Sequence, residues 1–444
     1  MTTTGTGAPT RAEGKHDDYA LTRVPASARF AWPIVALQRF GQLSTVSQFL
    51  LGATLGFGMT FGGAILALTI GTVILETLTI LVGIIGVREG LSTSLVSRWT
   101  GFGRKGSALI GLVVAVSMVG WFGVQNGVLA DGMAQAVGIM PAWAWALVGG
   151  MAVTVICAVG FRGMAWAAAV AVPAFIVLVV FTVGRELVRH DLGSLLTAEP
   201  AGPRLSMATA TTIVAGGFII ASVLCPDMTR FNRSVGDVVK QTVVGVTLGQ
   251  YVIAVSGILL ALALRTSDIA AIVIGTSGIL GAIILAAATV KVNDWNLYSG
   301  GLGVVNIVNV LTRRRVSRVG VTLIIGAFGS ALSAFGILGH FVEFLTFQGV
   351  FLPPIIGIMI AEYFLVRTWR GELTESRRTG TLPAREPQWV IPGLIAWAAG
   401  WAAGYFITVG IPVLTSTVVA LLVYWGGSLV ARWIQHHAGT GESR

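Results

Sequence analysis

Residues 206–231 read SMATATTIVAGGFIIASVLCPDMTRF. The run is apolar over the length of a membrane-crossing helix, yet Gly216-Gly217-Phe218 interrupts its middle and Cys225-Pro226-Asp227 ends it. Inside hydrocarbon a helix must satisfy its own backbone, so an interruption at that depth survives only where it lines a cavity or is buried in protein. A second interrupted run opens the apolar part of the chain. There Arg39, Gly41, Gln42, Ser44, Thr45, Ser47 and Gln48 crowd the middle of residues 32–56. Paired interruptions in corresponding positions of two halves point to a transporter with its ligand near the membrane midplane. The plainer explanation is packing: Gly52 and Gly56 form a G-x-x-x-G pair, which permits close approach of a neighbouring helix.

The composition agrees with a membrane protein. Of 444 residues, 55% are hydrophobic and 11% charged, against about 25% charged in a soluble domain. That excludes an ordinary soluble enzyme, a disordered chain, a collagen and a disulfide scaffold. Apolar runs of span length recur at 32–56, 58–87, 106–137, 142–161, 163–184, 206–224, 239–264, 270–298, 317–336, 339–366, 389–409 and 411–431, about twelve in all. The expectation is an all-α membrane protein with a tail at 1–31, a membrane domain at 32–431 and a tail at 432–444. The first thirty residues lack an apolar core, so no cleavable signal segment is expected. The stretch 367–388 reads as a loop.

An even span number puts both termini on one side, and the cations say which. Of the 29 Lys and Arg residues, 23 fall in the tails and the loops on their side. Four, Arg185, Arg189, Arg204 and Arg265, fall in the opposite loops, and Arg39 and Lys291 lie within spans. Both termini are therefore expected in the cytoplasm of a cell-membrane protein. The net charge of +10 is read as this topology signal and not as a nucleic-acid surface.

Several motifs fail. Gly101-Phe102-Gly103-Arg104-Lys105-Gly106 matches G-x-G-x-x-G, but no strand precedes it and it lies between spans. There is no phosphate-binding G-x-x-x-x-G-K-[ST], no H-E-x-x-H and no Cys/His cluster, so no cofactor and no metal is expected. Cys157 and Cys225 sit in apolar runs and read as small buried hydrophobes.

The remaining motifs carry a resemblance. They are Gly52-Ala53-Thr54-Leu55-Gly56 with Gly58, and Gly90-Leu91-Ser92-Thr93. Next come Val119-Gly120-Trp121-Phe122-Gly123-Val124, then Gly217-Phe218-Ile219, and Asp227 with Arg230-Phe231. The last are Asn293-Asp294, Asn296-Leu297-Tyr298 and Gly301-Leu302-Gly303. From about Arg23 to the last span the chain resembles nucleobase–cation symporter family one, and most of all its cytosine permease branch. The resemblance implies ten core helices in a five-plus-five inverted repeat, with helices 1 and 6 broken, plus two peripheral helices. It implies a secondary active permease importing a nucleobase, cytosine or a related purine or pyrimidine, by alternating access between spans one, three, six and eight. Hydantoin, allantoin and a pyrimidine precursor of thiamine are the alternatives within the family. Trp121 and Phe218 match the aromatic pair that sandwiches the ring. Flat faces of this kind stack for about 1–3 kcal/mol per base. Asn293 matches an amide that hydrogen-bonds the ring edge.

Three positions depart from the cytosine pattern: Gly217 and Ile220 stand for serines and Met118 for a glutamine. Each removes a polar contact, so either Gln42 and Ser117 hold the ring or the ring is less polar. The cation site departs further. Sodium-coupled members use span-one carbonyls and two span-eight hydroxyls, which fall at Lys291 and Val292 here, while Ala288 replaces an Asn one turn earlier. Gly41 keeps its match, and Ser44 lies beside it in the break. A lone lysine in a membrane costs at least about 2.5–3.5 kcal/mol, which makes it a functional hypothesis by default. Lys291 is expected to replace sodium, either as a fixed cation or as a proton carrier. The bland alternative is an ion pair with Asp294, three residues on along the helix, with Asp227 as another partner. The expected partners are thus a nucleobase-like molecule, the lipid bilayer and a proton, with no sodium. Glu76 reads as a hydrogen-bonded structural carboxyl.

Overall fold

The computed structural model describes residues 19, 22–159, 161–314 and 316–438. Most of the tail at 1–31, residues 439–444, and the counted cations Arg11, Lys15, Arg315 and Arg444 therefore lie outside the described residues.

Every expected span is helical. The first is α1 (Trp32–Leu43) followed by α2 (Val46–Gly58), and the second is α3 (Phe61–Glu89). A short α4 (Thr93–Val96) leads to α5 (Gly103–Val137), α6 (Ala142–Val159), α7 (Phe161–Arg189) and a surface turn α8 (Leu192–Leu196). The sixth span is α9 (Met207–Gly216), α10 (Ile219–Val223) and α11 (Cys225–Thr229). Then come α12 (Val235–Leu264), α13 (Ile269–Thr312), α14 (Arg318–Ala334), α15 (Phe341–Phe351) and α16 (Pro353–Ile360), which continues as a π-helical turn at Ala361–Val366. Last are α17 (Arg370–Thr379), α18 (Ile391–Phe406) and α19 (Pro412–Ala438).

Among the described residues six helical stretches are long and apolar enough to cross a membrane. The first and sixth spans fall short because they are broken. Large apolar side chains point outward, with Ile324 70% and Phe335 87% exposed, as a lipid-facing surface requires. The stretch 367–388 is not all loop: α17 forms there, with Glu372 in its first turn and Arg377 and Arg378 in its last, which suits the helix dipole. The eighth span also runs further than expected, through 44 residues, with Gly278 at φ 58°, ψ −143° as a kink.

Packing sets the site. α5 and α13 lie along each other, α12 lies against α1 and α2, and α3 lies against α9 and α11. α2 also touches α5, α9 and α13, so the first break sits among the third, sixth and eighth spans. α18 and α19 pair at the side against α15 and α16. The G-x-x-x-G expectation holds: a Cβ at Gly52 would overlap the Ala254 carbonyl and one at Gly56 would meet the Ile258 backbone, while Gly257 returns the contact at Phe49.

Candidate functional site

The first break is built by Ser44 and Thr45. Ser44 leaves the helical region at φ −77°, ψ 70°. Its N–H returns to Phe40 O at 2.9 Å and Thr45 N–H to Leu43 O at 2.9 Å. These bonds leave the Gly41 and Gln42 carbonyls at the negative end of α1. Thr45 then caps α2, its hydroxyl accepting from Gln48 N–H at 3.4 Å. Ser44 Oγ is bonded to Phe40 O at 2.9 Å. In the sixth span Phe218 departs from helix at φ −134°, ψ 9°. Leu224 and Pro226 then stop α10 and start α11.

Trp121 on α5 is 6% exposed. It meets Phe344 edge-on at 5.1 Å between ring centroids and Phe341 at 6.4 Å. Phe218 and Gly217 are half-buried at the second break, and Ile220 is buried beside them. No ring contact joins Trp121 to Phe218 among the described residues. Met118 is buried and faces α13 at Gly300. Ser117, expected as a ligand, accepts a hydrogen bond from Gln348 Nε2 of α15. The span-ten residues Phe341, Phe344 and Gln348 escaped the sequence reading. Their spacing along one helix face, with an amide in an apolar run, was the available signal.

Asn293 is fully buried on α13. Its Oδ1 accepts from Asn296 Nδ2 at 3.0 Å, while its Nδ2 has no hydrogen-bond partner among the described residues. Thr289, one turn earlier on the same face, also has a buried hydroxyl without a partner. Gln42 Oε1 is a third unpartnered buried atom. Buried polar groups are normally satisfied, so each such atom calls for an explanation. One turn of helix thus offers donors from Asn293 and a hydroxyl from Thr289, which suits an acceptor-bearing ligand edge.

Lys291 and Val292 are half-buried and Ala288 is buried on α13. Among the described residues no ion pair within 4.0 Å joins Lys291 to Asp294 or Asp227, so the alternative of a close structural pair is not made. Asp227 instead accepts a bond from Thr93 N–H at 3.0 Å. Glu76 accepts from Thr247 Oγ1 at 2.7 Å, as a structural carboxyl would. Arg39 is fully buried, and its Nη2 reaches only Cys225 Sγ at 3.4 Å, with Nε and Nη1 unpartnered. Both cysteines are buried and free.

Comparison with known proteins adds the following. A family model described as "Permease for cytosine/purines, uracil, thiamine, allantoin" matches residues 34–427. The cytosine permease of Escherichia coli (strain K12) is 31% identical over 399 residues, 89% of this chain and 91% of that protein. The inward-facing conformation of Mhp1 superposes with a TM-score of 0.77 at 19% identity, over 94% of this chain and 93% of Mhp1. Mhp1 in a closed conformation with bromovinylhydantoin bound, a nucleobase-cation-symport-1 family transporter, gives 0.71 at 19% identity, over 94% and 96%. The Mhp1 likenesses bear on the fold, which is the broken-helix, five-plus-five architecture with two peripheral helices.

Proposed function

The chain belongs to the family of permeases for cytosine/purines, uracil, thiamine and allantoin, multi-pass membrane transporters and not enzymes, and from that premise we propose that it imports a nucleobase, cytosine first, by alternating access around the two broken spans. The observation that carries this is the Asn293 amide, fully buried with its donor unpartnered. A cytosine ring offers a carbonyl oxygen and a ring nitrogen to such a donor. In this reading Trp121 and Phe218 hold the ring faces, Asn293 and Thr289 its edge, and Gln42 supplies an acceptor. Ser117 positions Gln348 and does not touch the ring. Gly217, Ile220 and Met118 shape an apolar flank.

That flank favours a second reading. Three polar positions of the cytosine pattern are apolar or bare here, which suits a less polar ring such as a hydantoin, allantoin or a thiamine-type pyrimidine. The 23-to-4 cation split supports a cell-membrane protein with both termini in the cytoplasm. In this reading Lys291 takes the role that sodium has in the related cation site, to which the resemblance also assigns the Gly41 and Ser44 end of α1, with Val292 and Ala288 offering no oxygen. Transport is then proton-coupled or uncoupled.

The test is radiolabelled cytosine uptake into proteoliposomes under sodium, potassium or imposed pH gradients, with a panel of competing rings. Saturable uptake that unlabelled nucleobases suppress supports the first reading. Suppression by hydantoin or allantoin, with no response to nucleobases, replaces it with the second. Lys291→Thr combined with Val292→Thr should make uptake depend on sodium. A double variant still indifferent to sodium removes the surrogate role from Lys291.

A further inference from the structure

At the membrane boundary, where α3 ends and the π-helical turn closes, the surface encloses a cavity of about 450 Å³. Its wall carries four guanidiniums, Arg88, Arg367, Arg370 and Arg377, and two carboxylates, Glu89 and Glu362. The guanidiniums outnumber the carboxylates, and both carboxylates have other partners. Glu89 is taken by Arg23 at 3.4 Å, Arg377 at 2.8 Å and the Tyr363 hydroxyl at 2.6 Å. Glu362 accepts from Thr368 N–H at 2.7 Å, from the Thr368 hydroxyl at 3.2 Å and from the Tyr424 hydroxyl at 2.8 Å. Among the described residues Arg88, Arg367 and Arg370 have no carboxylate within 4.0 Å.

Topology signals account for arginines in loops, but not for three unpaired ones converging on one recess whose two acids already have their oxygens hydrogen-bonded elsewhere, Glu89 by two guanidiniums and Glu362 by neutral donors. The backbone adds a second argument. Arg367 ends the π-helical turn in the left-handed region, at φ 60°, ψ 34°. Glycine is the usual residue at such a position, because a Cβ is strained there. Arg367 shares this conformation with Arg265 and Arg313, and differs from them in standing on the wall of the recess. Its Nε donates to Phe364 O at 2.7 Å, which fixes the fork and leaves the terminal nitrogens for a ligand. π-helical turns themselves concentrate at functional sites. Trp99 backs the recess, its indole N–H already spent on Arg385 O at 2.8 Å, so it offers an aromatic wall and no donor.

We propose that this cavity binds a phosphate-bearing anion, held by Arg88, Arg367 and Arg370. Guanidinium forks match phosphate oxygens two at a time, and basic recesses beside membrane helices receive anionic headgroups. The volume falls in the range of small-molecule sites and exceeds what one inorganic phosphate fills. The ligand is an anionic phospholipid headgroup or a soluble phosphate compound of similar size.

The test uses the full-length protein in nanodiscs of zwitterionic lipid. One arm adds graded phosphatidylglycerol to the discs and the other adds soluble pyrophosphate, with bound ligand read by native mass spectrometry and thermal protection read alongside. R367G suits the backbone at that position, so it removes the guanidinium without harming the fold. R367G combined with R370Q should weaken the effective probe about tenfold or more. R88Q, at an exposed position, should weaken it in the same direction, and R314Q on a different loop should not. Protection by phosphatidylglycerol alone identifies a lipid headgroup, and protection by pyrophosphate identifies a soluble ligand. Equal binding by wild type and the cavity variants, or no binding of either probe, overturns the proposal.

Discussion

An amide carries two donors and an oxygen with two lone pairs, and Asn293 has engaged one lone pair with Asn296 while its donors are free. Its unpartnered group is the donor Nδ2, so a ring that turns an acceptor toward it gains the most. Asn293→Ala should therefore raise the KM for the preferred ring about tenfold or more, measured as initial uptake rates in proteoliposomes, while the protein remains folded. A KM within twofold of wild type would remove Asn293 from the site. Asn293 was legible through the resemblance carried by Asn293-Asp294, and not through any property of the span itself. Thr289 was not singled out, since a threonine in a helix usually bonds back to its own backbone, and only the packing shows that this one does not. Ser117 was legible as a polar residue near Trp121, but its use was not. Its partner Gln348 lies 231 residues away, and nothing local announces that α15 will face α5. Arg39 has no such account: the structure gives it one sulfur contact and the sequence gives it no partner.

At the scale of the elements, length and apolarity carried most of the information. A run of about twenty apolar residues has few alternatives to a spanning helix, and each expected range is helical. The breaks were legible for a different reason. Gly217-Phe218 and Ser44-Thr45 combine weak helix formers with polar side chains that can take over backbone bonds, as Thr45 does for Gln48. The π-helical turn and α17 were not legible. The turn depends on Glu362 reaching both Thr368 and Tyr424, a tertiary contact. The polar α17 buries only Leu373 and Ser376, so it carries little apolar periodicity. The seam between α2 and α12 gives the sharpest test at this scale. Gly52→Val should cost at least about 1–3 kcal/mol through overpacking, seen as loss of the monodisperse peak in detergent chromatography and a lower thermal midpoint. Gly62→Val, where an added Cβ meets nothing within 4 Å, should leave both unchanged.

For the whole molecule the decisive contacts lie at the ends of the helices. Glu89 joins the N-terminal segment through Arg23, the tenth span through Tyr363 and α17 through Arg377. Burial lowers the pKa of the Arg23 guanidinium, and Glu89 opposes that shift. The same segment is fixed at Val24, whose N–H donates to Gly90 O at 2.9 Å, and at Phe30, whose N–H donates to Phe231 O at 2.7 Å. Removing one member of a buried ion pair costs about 3–5 kcal/mol, and Arg377 is partly exposed, so Glu89→Gln should fall at the lower end of that range. A thermal midpoint unchanged in Glu89→Gln would show that the network carries no stability. These partners lie 66 and 288 residues apart in the chain, which is why the order of the spans was readable and the ties between their ends were not. The glycine seam has a kinematic meaning as well. With backbone set against backbone at Gly52 and Gly257, and Gln48 bonded to Gln250 two turns before Gly257, α2 and α12 have no side-chain layer at the seam on which to slide. They must travel as one lever, and any swing that exposes the site first to one side of the membrane and then to the other has to find its bearing surface elsewhere.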